Sequence, residues 1–372
     1  MMMTRYLQML RKMDWLLFAV MVVLAAGSVL FIYSASYRGP GQPMPSFFRM
    51  QMIWFGIGLA LYLGVALIDY RLICQWAVVW YVVATGLLVV VLVSGARVYG
   101  ARRWLGVGSL GIQPAEIAKL AIIVAVSYYL YQKSQGSLRR WTAVAATGGM
   151  VSVPLVLIML EPDLGSAMVL VPVAFCLLFV SGARVKHLAL VAALGMALAP
   201  LAWLKLKDYQ RDRLTVFLDP SHDPVGVGWN LNQSLIAVGS GGMLGKGYLQ
   251  GTQNLLGFLP RTVAPNDFLF SVIAEEKGFV GSIVVLALYA GLLFRGLRIA
   301  AGARDRLGTL LAAGIVALLF CHIFINMGMT IGLMPVTGLP LPLLSYGGSF
   351  VLATMTALGL LQNIWIHRRA YE

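Results

Sequence analysis

One carboxylate stands apart from the rest. Between Asp223 and Glu275 the only acidic residue is Asp267, placed where a long polar stretch gives way to the apolar run that begins at Phe268. An acid at the mouth of a membrane helix is costly unless something uses it. The chemistry open to Asp267 is that of a base, alone or assisted by a metal.

Further residues suggest what such a base would work beside. Arg102-Arg103-Trp104 is followed by Gln113-Pro114-Ala115-Glu116 and Lys119. Pro114 suits a first helical turn, where Glu116 meets the favourable end of the helix dipole. Glu116 and Lys119, three apart, share a helical face and can pair. The pair is either a structural ion pair or a contact in which Lys119, with Arg103 above it, faces an anionic substrate group. The rarity of charge inside membranes favours the second, with structure as an added role. In Glu161-Pro162-Asp163-Leu164-Gly165, Asp163 either caps the next helix or takes part in catalysis. Asp208-Tyr209-Gln210-Arg211-Asp212-Arg213 reads as a solvated amphipathic face, or as an interfacial helix offering Arg211 and Arg213 as phosphate forks. No Asp, Glu, Lys or Arg occurs from Leu307 to Ile366, yet Pro335, Pro340 and Pro342 forbid a continuous helix. Irregular backbone at that depth is tolerated where it is buried or lines a cavity, so the stretch through Ser345 to Ser349 reads as a cavity wall.

The elements that position these residues are membrane helices. The chain of 372 residues is 60% apolar and 11% charged, against roughly 25% charged in soluble domains. Ten runs approach the roughly 20 residues that cross a bilayer: Trp15–Tyr33, Met50–Ile68, Leu72–Ala96, Ile112–Gln132, Trp141–Leu160, Leu164–Ala183, Leu188–Leu204, Phe268–Phe294, Leu310–Leu333 and about Tyr346–Ile366. The expected fold is all-α: one polytopic domain over 1–372, with a large extracytoplasmic segment, 205–266, between helices 7 and 8. With the N-terminus inside, inner segments carry 15 Lys and Arg against 5 in the short outer loops. Both termini are therefore expected in the cytoplasm. Ten of the fourteen carboxylates then fall on or near the outer half, which puts the working surface there.

Other chemistry is excluded. The net charge of +14 is scattered among apolar runs and forms no basic domain, so it reports sidedness and anionic lipid, not nucleic acid. Cys74, Cys176 and Cys321 sit in separate apolar stretches without paired spacing. Gly239 to Gly247 looks phosphate-friendly but lacks the spacing and the Ser/Thr of a P-loop. His187, His222, His322 and His367 show no metal-ligand spacing, and His322 reads as a buried polar contact between helices.

The order of motifs resembles the SEDS family of membrane glycosyltransferases over nearly the whole chain. The matching stretches are Arg102–Leu105, Gln113–Lys119, Pro162–Gly165, Asp208–Arg213, Asp219-Pro220, Asp223-Pro224, Gln233–Gly247, Phe258–Pro260, Asp267–Gly278 and Pro340–Ser349. Gly245 to Gln253 is similar to the rod-shape branch more than the division branch. The resemblance implies a ten-helix fold and polymerisation of lipid II into glycan during cell elongation, with undecaprenyl diphosphate leaving. It also implies a divalent cation, Mg or Mn, with no organic cofactor. The implied partners are a class B penicillin-binding protein transpeptidase and other elongation-complex membrane proteins, in the bacterial inner membrane. Asp267 corresponds to the family's essential aspartate, Glu116 and Lys119 to its fourth-helix pair, and Arg103 to its Arg before Trp. Asp163, Arg211, Arg213 and Ser345 complete the expected substrate-binding set. One departure stands beside Asp267: the loop from Arg261 to Asn266 is two residues longer than the family's and lacks its Glu and His. Two other classes compete: a flippase for lipid-linked precursors and a non-enzymatic scaffold, which leaves the outer carboxylates unexplained.

Overall fold

The computed structural model describes residues 9–37, 39, 46–98, 101–106, 111–133, 141–206, 208–219, 223–260 and 262–368. Arg5, Arg38, Arg139, Arg140 and Arg369, which enter the charge count, lie outside them, as do Lys207 and Arg261. All ten expected spans are helical: α1 Trp15–Ser36, α2 Ser46–Leu67, α3 Tyr70–Gln75 with α4 Ala77–Ser94, α5 Pro114–Gln132, α6 Trp141–Leu160, α7 Leu164–Val180, α8 Val185–Lys205, α12 Leu269–Ala301, α13 Arg306–Thr330 and α14 Gly348–His367. The outer segment supplies α9 Asp208–Leu218, α10 Val227–Ser240 and the single turn α11 Thr252–Leu255. A short hairpin, β1 Ala96–Val98 with β2 Ala101–Trp104, follows α4. Eight of these helices are long and apolar enough to cross a membrane, and α7 and α8 have shorter apolar stretches. The third span differs from expectation. It breaks at Trp76, whose φ of −94° and ψ of 17° end α3 before α4 begins.

Three helices make the centre. About three quarters of the membrane stretches of α5, α13 and α14 is buried, 72%, 72% and 78%, against 22–33% for the other long spans. Polar side chains tie α14 to its outer neighbours α2 and α3, because hydrocarbon offers a buried donor no alternative partner. Tyr62 Oη donates to Gln362 Oε1 at 3.0 Å, and Asn363 Oδ1 accepts from Tyr70 N at 3.0 Å. At the end of the bundle holding the start of α1, Asp14 caps Leu17 N at 3.0 Å and pairs with Arg295. At the same end Asp305 caps Gly308 N at 2.8 Å and takes Arg71 in a two-pronged bond of 2.9 and 2.7 Å.

The longest helix is broken. Gly278 has φ +63°, which kinks the chain inside α12 and leaves carbonyls and amides on either side of the break without helical partners. The glycine-rich stretch after α10 supplies them. Lys246 N and Gly247 N donate to Glu275 O and Glu276 O at 3.0 and 3.1 Å, while Phe279 N and Val280 N donate to Gly242 O and Met243 O at 2.8 and 3.1 Å. A Cβ on Gly278 would lie 2.7 Å from Met243 C and 2.8 Å from Gly242 O, so no larger residue fits. The sequence that mimics a phosphate loop is a backbone suture. It also anchors part of the 205–266 segment beside α12, about 9–17 Å along that helix from its start.

Candidate active site

Asp267 sits at the head of α12 in a turn fixed from both sides. Its amide donates to Val263 O at 2.9 Å, and its carbonyl accepts from Asn326 Nδ2 on α13 at 2.9 Å. Its partly buried carboxylate has no hydrogen-bond partner among the described residues. Burial pushes its pKa up to about 6, Arg213 and Arg103 oppose the rise, and Asp163 adds to it. At neutral pH the group is an unspent base.

Arg213 reaches the site from α9. Its Nη1 donates to Thr337 O at 2.7 Å. Next in the chain, Gly338 adopts φ +74°, and a Cβ there would lie 3.4 Å from Asp267 Oδ2 and 3.6 Å from Arg213 Nη1. Only glycine lets the backbone pass between the carboxylate and the guanidinium without strain.

The wall behind Asp267 is the proline-rich stretch from Pro335 to Gly347. It is non-helical and mostly buried. Its carbonyls would be ruinous in hydrocarbon, but side chains from five helices satisfy them in turn. Arg213 serves Thr337 O, Asn326 serves Leu339 O at 2.7 Å, and His322 Nδ1 serves Pro340 O at 3.2 Å. Tyr289 Oη serves Pro342 O at 2.5 Å, Ser28 Oγ serves Leu344 O at 2.6 Å, and Gln51 Nε2 serves Ser345 O at 3.2 Å. Ser345 itself is buried, and its Oγ accepts from Leu341 N at 2.9 Å. Its hydroxyl holds the wall's turn.

Packed against this wall is the turn between α6 and α7, where a Cβ at Gly165 would lie 2.9 Å from Thr337 O. Arg103, carried by β2, donates to Glu161 O at 3.1 Å and to Pro162 O. Asp163 caps α7 through Ser166 N at 3.1 Å and accepts from Gln113 Nε2 at 2.8 Å, so the cap reading holds. Glu161 is fully buried with neither carboxylate oxygen bonded. Burial, then Asp163, raises its pKa to about 8 against the pull of Arg103.

The structure therefore gathers Asp267, Arg213, Arg103 and Asp163 at one end of the bundle. Three other expected residues, Glu116, Lys119 and Arg211, are placed differently. Lys119 is 1% exposed, with Nζ 2.9 Å from both Glu116 Oε1 and His322 Nε2. Because Pro340 O can only accept, His322 carries its proton on Nδ1, and Nε2 accepts from Lys119. The Glu116–Lys119 pair thus holds the wall through His322. Arg211 turns away, donating to Trp203 O and Leu204 O at 3.2 and 3.0 Å and closing the end of α8. Sequence reasoning missed Asn326, Gln51, Ser28 and Tyr289. The signal available for Asn326 and Gln51 was an amide in an otherwise apolar helix.

Among the described residues, no three His, Cys, Asp or Glu side chains converge as metal ligands. The residues do not by themselves fit the divalent cation that the resemblance implies.

Comparison with known proteins agrees with this architecture. The chain is 38% identical over 358 residues to the peptidoglycan glycosyltransferase MrdB of Escherichia coli K12, covering 96% of this chain and 94% of that one. A chain solved in work on the structural coordination of polymerization and crosslinking by a peptidoglycan synthase complex superposes with a TM-score of 0.80 at 32% identity, covering 96% of this chain and 99% of that one. The crystal structure of the rod shape determining protein RodA of Thermus thermophilus gives 0.71 at 31%, covering 96% and 98%. The family model of the FtsW, RodA and SpoVE cell cycle proteins matches residues 14–370, and the chain belongs to that family.

Proposed function

We propose that the chain is a peptidoglycan glycosyltransferase of cell elongation, which joins the disaccharides of lipid II into glycan. The observation that carries this reading is Asp267: a carboxylate with an unspent lone pair, next to Arg213 and Arg103, in a chain whose relative MrdB bears that activity in its name. An acceptor sugar hydroxyl attacks the anomeric carbon of the donor. A new carbon–oxygen bond forms as the bond to the diphosphate breaks, and Asp267 takes the hydroxyl proton. Undecaprenyl diphosphate leaves with the electron pair. A positioned base of this kind contributes roughly 10²–10⁴-fold. Fixed cations aimed at the departing charge add to that, and this role is assigned to Arg103 and Arg213. Mg or Mn is the proposed divalent cation, which would supply charge neutralisation for the leaving diphosphate.

The working end faces away from the cytoplasm, with both termini inside, in the bacterial inner membrane. The count of 15 against 5 basic residues supports that orientation. A class B penicillin-binding protein is the proposed transpeptidase partner, with other elongation-complex membrane proteins around it.

The test is product analysis on purified protein, partner and lipid II. Asp267→Asn preserves size and polarity and removes proton-accepting power. Glycan chains should form with the unmutated protein and vanish with the variant, the loss falling on kcat more than KM. Ordinary chain synthesis by a folded variant would sink the assignment. Transbilayer movement of lipid II without polymer would indicate a flippase.

A further inference from the structure

A second feature lies away from the site. Between α1 and α12 runs a groove of about 420 Å³, walled by Val23, Gly27 and Phe31 on one side and Val280, Gly281 and Val284 on the other. Leu344, from the proline-rich wall, lines it too. One charged residue borders it, Lys277, exposed at the break in α12. Its Nζ lies 5.6 Å over the Tyr248 ring and, among the described residues, makes no hydrogen bond or ion pair. Below it, the groove follows α12 to Leu288, a helix length of about 16 Å. A cation at the head of an apolar channel of that length complements an anionic headgroup on a hydrocarbon chain.

We propose that this groove holds one acyl chain of an anionic phospholipid from the leaflet on the active-site side, with its phosphate on Lys277. One cation matches one phosphodiester. A polyprenyl diphosphate carries more charge than Lys277 answers, and Arg103 and Arg213 do not line the groove. The inference goes beyond the proposed reaction and does not depend on it.

Native mass spectrometry of the purified full chain, offered equimolar phosphatidylglycerol, phosphatidylcholine and undecaprenyl phosphate, tests it. The unmutated protein should retain phosphatidylglycerol over phosphatidylcholine by roughly fivefold, as one lysine near a charged lipid provides. Lys277→Gln should erase that preference and Lys277→Arg should keep it. A Cβ at Gly27 meets only Leu344, at 3.5 Å, so Gly27→Leu extends into the groove without moving backbone and should lower retention of both phospholipids. Equal retention of the two headgroups, or no change in Lys277→Gln, would overturn the proposal. Displacement of phosphatidylglycerol by undecaprenyl phosphate would also overturn it, giving the groove to a polyprenyl chain.

Discussion

The two ends of the helix bundle treat their acids differently. At the end holding the start of α1, the described carboxylates Asp14, Asp69 and Asp305 each cap a helix, and two of them also pair with an arginine. At the other end, among the described residues, Asp163 and Asp223 also cap helices, but Glu161 has no partner for either oxygen, the Asp267 carboxylate has none, and Glu275 and Glu276 each keep one oxygen unbonded. Satisfied groups report stability, whereas groups buried without partners cost it and persist where function demands them. Among the described acids, those with unbonded buried oxygens lie at one end.

Mutations at the two ends should therefore fail in different ways. The largest effect after loss of Asp267 is expected at Arg213. Arg213→Met should cut the turnover of a folded protein by roughly 10²–10³-fold, the scale for removing one preorganised donor, as read from glycan formed per minute. The pH profile comes next. A base must be deprotonated, so the rate should fall about tenfold per pH unit below about 6 and level off above it. A profile flat from pH 5 to 8 would remove Asp267 from the proton transfer. At the opposite end, Asp305→Ala should lose about 1–3 kcal/mol of stability, through a lost cap and a stranded Arg71, while turnover per folded molecule stays within about twofold. A large catalytic defect there would break the comparison. The smallest effect concerns Glu161. Its pKa is raised on folding, so the stability it permits is fully present at low pH and is lost as pH climbs to about 8. Glu161→Gln should therefore raise the melting temperature at pH 8 and leave it nearly unchanged at pH 5.

The ten helices were legible because hydrocarbon imposes length and apolarity on every span, and both can be read locally. Asp267 was legible for the same reason, as a solitary acid at a boundary. The break in α12 was not. Glu275 to Phe279 continues a helical pattern, and what allows the kink is a loop some thirty residues earlier whose amides leave no trace in side-chain chemistry. The contact of Lys119 with His322 was not legible, because the two lie 203 positions apart. The proline-rich wall was recognised from its prolines, but the residues that satisfy it are scattered over five helices.

The suture has a consequence for synthesis. Glu275, Glu276 and Lys277 form the most charged run in any membrane span of this chain, and such a run enters a bilayer at a cost. Each of its contacts is made earlier in the chain: Lys246 and Thr252 for Glu275, Ser34 for Glu276, and Tyr248 for Lys277. A ribosome working from the N-terminus completes the receiving surface before the charges emerge. The order of translation thus coincides with the order in which the broken helix can be accommodated.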